Sequence, residues 1–121
     1  MKFAVHVHLI ILSIDLETGD RYILSTSNEK CKLPSYILTK LNTIEYIINN
    51  ELETYIDLDP TWIKTKCVDV QRCVIDSELD IYYAGMIPKS TQLKNGAVFL
   101  PIETTQYPPH ISQAISKYEF I

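Results

Sequence analysis

The sequence predicts one α+β domain over residues 1–121, with a mostly antiparallel or mixed sheet held between two helices. Three observations carry that prediction. Ile44, Ile47, Ile48, Leu52, Tyr55 and Ile56 recur with the spacing of one helix stripe over 42–56. Ile111, Ala114, Ile115 and Tyr118 repeat that spacing near the end of the chain. The remaining apolar segments are rich in Val, Ile, Leu and Tyr and are bounded by turn residues, as strands require.

The elements follow in order. Residues 3–14 form an apolar run broken by His6 and His8, which predicts a central strand covered on both sides at its end. Residues 15–20 make a turn in which Gly19 supplies a positive φ. Residues 21–26 then pair back as an antiparallel strand, and 27–32 are a polar loop. Pro34 forces extended backbone at Leu33. Asn42 is the predicted cap of the first helix, with Glu45 completing a capping box. Pro60 ends that region, because proline cannot continue a helical ladder. Residues 62–75 are expected as two strands or one long bent strand, and 76–78 as a turn. Residues 79–87 form the next strand, with Tyr82 and Tyr83 on opposite faces. Asn95-Gly96 marks a turn within a loop over 89–96, before a short strand over 97–102. Pro108 and Pro109 precede the final helix, over 110–118.

Composition narrows the function. Apolar residues make up 46% and charged residues 21%, with both signs interspersed, which fits a packed domain. The formal net charge of −4 argues against general nucleic-acid binding. Lys30, Lys32 and Lys40, or Lys64 and Lys66, are solvated lysines on this view. Cys31, Cys67 and Cys73 lack a framework spacing, which predicts reduced thiols in a cytoplasmic setting. The N-terminal apolar run is too short to span a bilayer and has no small-residue cleavage site, so neither membrane insertion nor secretion is expected. Only three glycines occur, and no phosphate-cradling loop can be drawn from them.

Glu51 is the residue that breaks the pattern. It lies seven residues after Ile44 and four after Ile47, inside the apolar stripe. A carboxylate facing inward is costly without a partner. Either something satisfies it or the helix edge opens onto a pocket there. Tyr55, one helical turn on, is placed to donate a hydrogen bond to it. His6 and His8 share a strand face but have no third ligand nearby in sequence, so no metal site is expected from them. Glu53, Asp57 and Asp59 lack the glycine of a calcium loop. No Ser-His-Asp or Cys-His pattern has a recognisable local setting. Tyr36, Tyr46, Tyr107 and Tyr118 fall at loops or helix edges, where aromatics either serve a protein interface or cover the core rim.

Several segments, in this order, resemble the Nudix hydrolases. Ala4-Val-His-Val-His-Leu-Ile is similar to the family's first strand, and Arg21-Tyr-Ile-Leu to its second. Lys32-Leu-Pro resembles the Trp-x-Leu-Pro that precedes a Gly-Gly pair. Glu51-Leu52 and Leu58 resemble parts of the signature G-x5-E-x7-R-E-U-x-E-E-x-G-U, where U is a bulky apolar residue. Ile81-Tyr-Tyr-Ala-Gly-Met-Ile-Pro, Phe99-Leu-Pro-Ile-Glu and His110-Ile-Ser-Gln-Ala-Ile resemble later strands and the closing helix. The resemblance implies an α/β/α sandwich. It also implies a carboxylate cluster that holds Mg²⁺ and activates water on a diphosphate.

That cluster is mostly missing. Aligned on Glu51, the first Gly and first Glu positions fall on Tyr36 and Asn42. The Arg position is Asn50, the paired Glu positions are Thr54 and Tyr55, and the late Gly is Asp57. Ser35-Tyr36 stands where the family has Gly-Gly, so the catalytic loop is expected to be rebuilt. The expectation is a catalytically inactive Nudix-fold protein acting as a structural or protein-interaction subunit, with a protein partner and no cofactor. The short, Ile-, Tyr-, Lys- and Asn-bearing chain suits a phage or AT-rich genome, hence a host cytoplasm. Two alternatives stay open. A divergent hydrolase of nucleoside diphosphate derivatives would keep Glu51 as a Mg²⁺ ligand, aided by Glu45, Glu53 or Glu103. A non-hydrolysing nucleotide binder would use the pocket between first strand and helix, with His6, His8, Tyr55 and Tyr83 as candidate contacts.

Overall fold

The longest strand, β1 (Ala4–Ile14), organises the molecule, because it pairs with three other strands and packs against the first helix. The structure, a computed structural model, describes residues 4–39, 43–73, 75–103, 105 and 107–119. Phe3, Lys40 and Asn42, all invoked from the sequence, lie outside the described residues. A turn anchored by the Asp15 side chain leads to β2 (Arg21–Ser25), which pairs antiparallel with the end of β1. Gly19 sits there at φ 78°, where a side chain would be strained.

Residues 35–37 are not a loop. They form β3 (Ser35–Ile37), which pairs with the start of β1 on the side that β2 covers further along. The extended geometry imposed at Leu33-Pro34 starts it, and the Pro34 carbonyl accepts from Leu9 N–H.

Helix α1 (Ile44–Tyr55) is capped by Thr43, whose side chain accepts from the Tyr46 N–H. Its last carbonyls would otherwise be orphaned. Lys94 N–H donates to Tyr55 O, and the Asn95 side chain donates to Thr54 O, so the loop over 88–97 closes the helix end.

Trp62 does not begin a strand. Asp59 accepts from Thr61 N–H, and Pro60 favours a tight start, so Pro60–Trp62 is a 3₁₀ turn and Trp62 is left exposed. β4 (Thr65–Cys73) then runs as one strand with a bulge between Cys67 and Asp69, the bent-strand alternative. It pairs antiparallel with β5 (Glu78–Met86), and β5 pairs parallel with β1 along nearly its whole length. At Gly85 an added Cβ would lie 2.7 Å from the Lys64 carbonyl oxygen, so only glycine lets the two backbones approach so closely. β6 (Val98–Pro101) joins β2, giving the order β4-β5-β1-β2-β6 with β3 beside β1. The chain ends in α2 (Pro109–Glu119).

Strand alternation divides the core in two. Val7, Leu9, Ile11 and Leu24 pack on one face with Ile47, Ile48, Leu52 and Ile56 of α1. Ile10, Leu12, Ile23, Tyr82 and Ala84 pack on the other with Ile111, Ala114 and Ile115 of α2. Each fully buried aliphatic side chain contributes about 1.5–3 kcal/mol, so the two helix stripes hold the layers together. Tyr82 lies in the α2 layer and Tyr83 against the α1 layer, as the alternation predicts. The mixed sheet between two helices is thus observed. Among the described residues no helix is long and apolar enough to cross a membrane.

Candidate functional site

Two groups of chemically capable side chains lie on opposite faces of the sheet. On the α1 face, Glu51 is 9% exposed and belongs to the inward stripe of the helix. Burial pushes its carboxyl above the usual range. Tyr55 packs partly against the same core, yet no hydrogen bond from it to Glu51 forms, and Glu51 has no polar partner among the described residues. Glu45 and Glu53, its neighbours along the helix, are both exposed.

The Mg²⁺ implied by the sequence resemblance can be tested against this donor set. A hard divalent cation needs several oxygen ligands and an ionised carboxylate. Glu51 offers one carboxyl whose surroundings oppose its charge. Among the described residues no group of three or more His, Cys, Asp or Glu side chains is placed to hold a metal ion. The residues present therefore do not fit Mg²⁺.

The other face carries a relay that sequence inspection missed. His8 Nδ1 lies 2.6 Å from Ser35 Oγ, and His8 Nε2 lies 2.7 Å from Asp80 Oδ1. His8 also stacks on Tyr82 at 4.8 Å between ring centroids. Burial, with help from the Asp80 and Asp69 carboxylates, pushes the Tyr82 phenol up to about 12. His6 stacks beside His8 at 6.2 Å and has Glu78 at 3.8 Å. The three relay residues are far apart in sequence. Only the β1–β3 and β1–β5 registers bring them together, so pattern alone could not have found them.

The candidate binding residues are thus split. His8 and Tyr55 both line a cavity of about 800 Å³ at the sheet edge, which extends to Lys30, Lys32, Tyr107 and His110. His6 and Tyr83 do not line it, and Tyr83 packs against the α1 layer instead. The buried Ser25 hydroxyl shapes the cavity wall. It donates to Ser27 O at 2.6 Å and accepts from Lys32 N–H at 2.9 Å, which folds the polar segment between them. Cys31 also lines the cavity, and burial pushes its thiol up, away from the reactive thiolate. A second cavity, of about 440 Å³, lies between Lys64, Lys66 and Tyr118 at the far end of the same sheet face.

The arrangement is that of an α/β/α sandwich in which a mixed sheet built on a parallel β1–β5 pair separates two helices. Comparison with solved structures shows that the chain has the Nudix-like fold. It aligns with a MutT/nudix family protein from Enterococcus faecalis at TM-score 0.63 and 10% identity, covering 84% of this chain and 44% of that one. The chain therefore spans less than half the length of that protein. The C-terminal domain of mouse MUTYH, solved in complex with human PCNA, aligns at TM-score 0.73 and 13% identity over 98% of this chain and 89% of that one. The NUDIX domain of Shewanella oneidensis NrtR, crystallised with ADP ribose, aligns at TM-score 0.67 and 10% identity over 99% and 88%. No protein-family model and no curated protein matches the sequence.

Proposed function

We propose that this chain has given up the metal-dependent hydrolysis associated with its fold and serves as a structural or protein-interaction subunit. The observation that carries the reading is Glu51: one buried carboxyl, without a polar partner among the described residues, on the helix where a cation would need several. Thr54 and Tyr55 occupy the positions where the resemblance would place two more carboxylates. Exposed Tyr36, Ile37 and Tyr46, together with Trp62 at 78% exposure, supply aromatic and aliphatic surface of the kind protein partners use. A similar fold taken from MUTYH is solved against a protein, PCNA, which supports the idea that such a sandwich can serve as a docking unit. The composition suits a phage-encoded protein working in a host cytoplasm.

A second reading has its own support. The NrtR domain binds ADP ribose, and the cavity of about 800 Å³ combines lysines with aromatic side chains, as a nucleotide site would. One experiment separates the readings. The protein is incubated with Mg²⁺ or Mn²⁺ and a panel of nucleoside diphosphate derivatives. Turnover lost in Glu51→Gln would establish a hydrolase and sink the proposal. Thermal stabilisation without turnover would establish a nucleotide binder. Neither effect, with a stable complex on size exclusion, is the outcome the proposal expects.

A further inference from the structure

His8 is held at both ring nitrogens, and two neighbouring rings stack against it. Asp80 Oδ1 lies 2.7 Å from Nε2, and a carboxylate can only accept, so Nε2 carries a hydrogen. In the neutral ring Nδ1 is then the acceptor, and the Ser35 hydroxyl donates to it across 2.6 Å. The hydroxyl has one other acceptor in reach, the Leu33 carbonyl oxygen at 3.1 Å. When Nδ1 takes up a proton, its N–H donates to Ser35 Oγ and the hydroxyl hydrogen can turn to Leu33. The imidazolium then faces the Asp80 carboxylate. Both protonation states are fully bonded with no atom moved far. Tyr82 and His6 stack against the ring and fix its plane.

A general base for a serine nucleophile needs these properties: contact with the hydroxyl, and stabilisation once it has become a cation. A histidine that only bridges strands does not need its hydroxyl partner to be accessible. Ser35 is exposed, and both it and His8 line the cavity of about 800 Å³. Leu33, Tyr107 and Ile111 give that cavity apolar surface, and Lys30 and Lys32 give it positive charge.

We propose that Ser35 is an activated nucleophile with His8 as its general base and Asp80 as the residue that positions His8, and that it accepts the acyl group of a small carboxylic ester. Ser35 Oγ adds to the ester carbonyl carbon while its proton passes to His8 Nδ1. The carbonyl oxygen becomes an oxyanion, for which Lys30 and Lys32 supply positive charge. The bond to the alkoxy oxygen breaks, and the alcohol leaves with the proton from His8. Water, deprotonated by His8, then adds to the acyl-serine, and the carboxylic acid leaves as Ser35 regains its proton. The sum is ester plus water giving acid plus alcohol, with no oxidant and no metal. Either ring nitrogen of histidine can act as the base, so Nδ1 facing the hydroxyl is chemically sufficient. The site lies on β1, β3 and β5 and does not depend on the role given to Glu51.

The test treats the full chain with a fluorophosphonate probe, which phosphonylates activated serines with loss of fluoride. Intact-mass and peptide mass spectrometry locate the adduct, and p-nitrophenyl acetate hydrolysis is followed in parallel. One adduct per chain at Ser35, none in Ser35→Ala, and loss of esterase activity on labelling are expected. His8→Gln should slow labelling about a hundredfold. Asp80→Asn keeps the side-chain shape, so it decides the matter if His8→Gln does not fold. It should slow labelling at least tenfold and displace the pH profile, which a merely structural aspartate would leave in place. No adduct, adducts scattered over other hydroxyls, or a Ser35 adduct forming at an unchanged rate in folded Asp80→Asn would overturn the proposal.

Discussion

Replacing Glu51 by leucine should make the protein more stable at neutral pH. The side chain is 9% exposed, its carboxyl is pushed up by burial, and no partner among the described residues offsets that cost. Leucine has a similar length and adds apolar burial worth about 1.5–3 kcal/mol if complete. Glu51 lies at the edge of the layer, where solvent screens part of the penalty, so a net gain of about 1–2 kcal/mol is the reasonable size. For a domain of this length that is a rise in Tm of roughly 4–8 °C. The pH dependence gives a sharper check. A carboxyl raised in the folded state contributes stability that is complete below its unfolded value, 4.5, and is lost as pH rises through the folded value. The leucine advantage should therefore shrink as pH falls through the raised folded value and level off below about 4.5, where wild-type Glu51 is protonated in both states. Thermal unfolding of both proteins by circular dichroism across that range measures it. A leucine variant less stable than wild type at neutral pH would refute the reasoning, because Glu51 would then have a favourable partner.

Two further predictions concern the scaffold. Gly85→Ala would place a Cβ 2.7 Å from the Lys64 carbonyl oxygen, so the entry to β4 must shift. A loss of about 1–3 kcal/mol in urea unfolding is expected, with amide shifts concentrated at Lys64 and Thr65. Lys117→Met removes a bond to the buried Asp69. Burial alone would raise the Asp69 carboxyl, but Lys117, Gln71 and the Val70 N–H together bring it below its ordinary value of 3.8. The stability it contributes is present above 3.8 and lost as pH falls through the lowered folded value, so the substitution should weaken that acid limb in urea titrations. At neutral pH it should cost about 1–2 kcal/mol, a figure kept low because Lys117 is half exposed.

What was legible in the sequence was whatever depends on local period. The Ile47, Ile48, Leu52 stripe set α1 and its buried face, and the same reasoning exposed Glu51 as the exception. Tyr82 and Tyr83 separated correctly because strand alternation allows nothing else. Short and exposed elements were not legible. All three residues of β3 are exposed, so no alternation marks the strand, and it exists because β1 offers a free edge. Trp62 looked like strand by composition, but the Asp59-Pro60 cap imposes a tight turn first. The relay among Ser35, His8 and Asp80 was invisible because it spans separations of 27 and 72 residues and needs two registers at once. His6, His8, Tyr55 and Tyr83 looked like one candidate group in sequence, yet only His8 and Tyr55 reach the cavity of about 800 Å³ at the sheet edge.

The account turns on whether Glu51 holds a cation. Titration of the protein with Mn²⁺ at neutral pH, with free ion followed by electron paramagnetic resonance, tests this in wild type and Glu51→Gln. Matching curves with only weak, roughly millimolar binding are what a lone buried carboxyl whose surroundings oppose its charge predicts. One tightly held Mn²⁺ per chain that disappears in Glu51→Gln would contradict the account and restore a metal centre to α1.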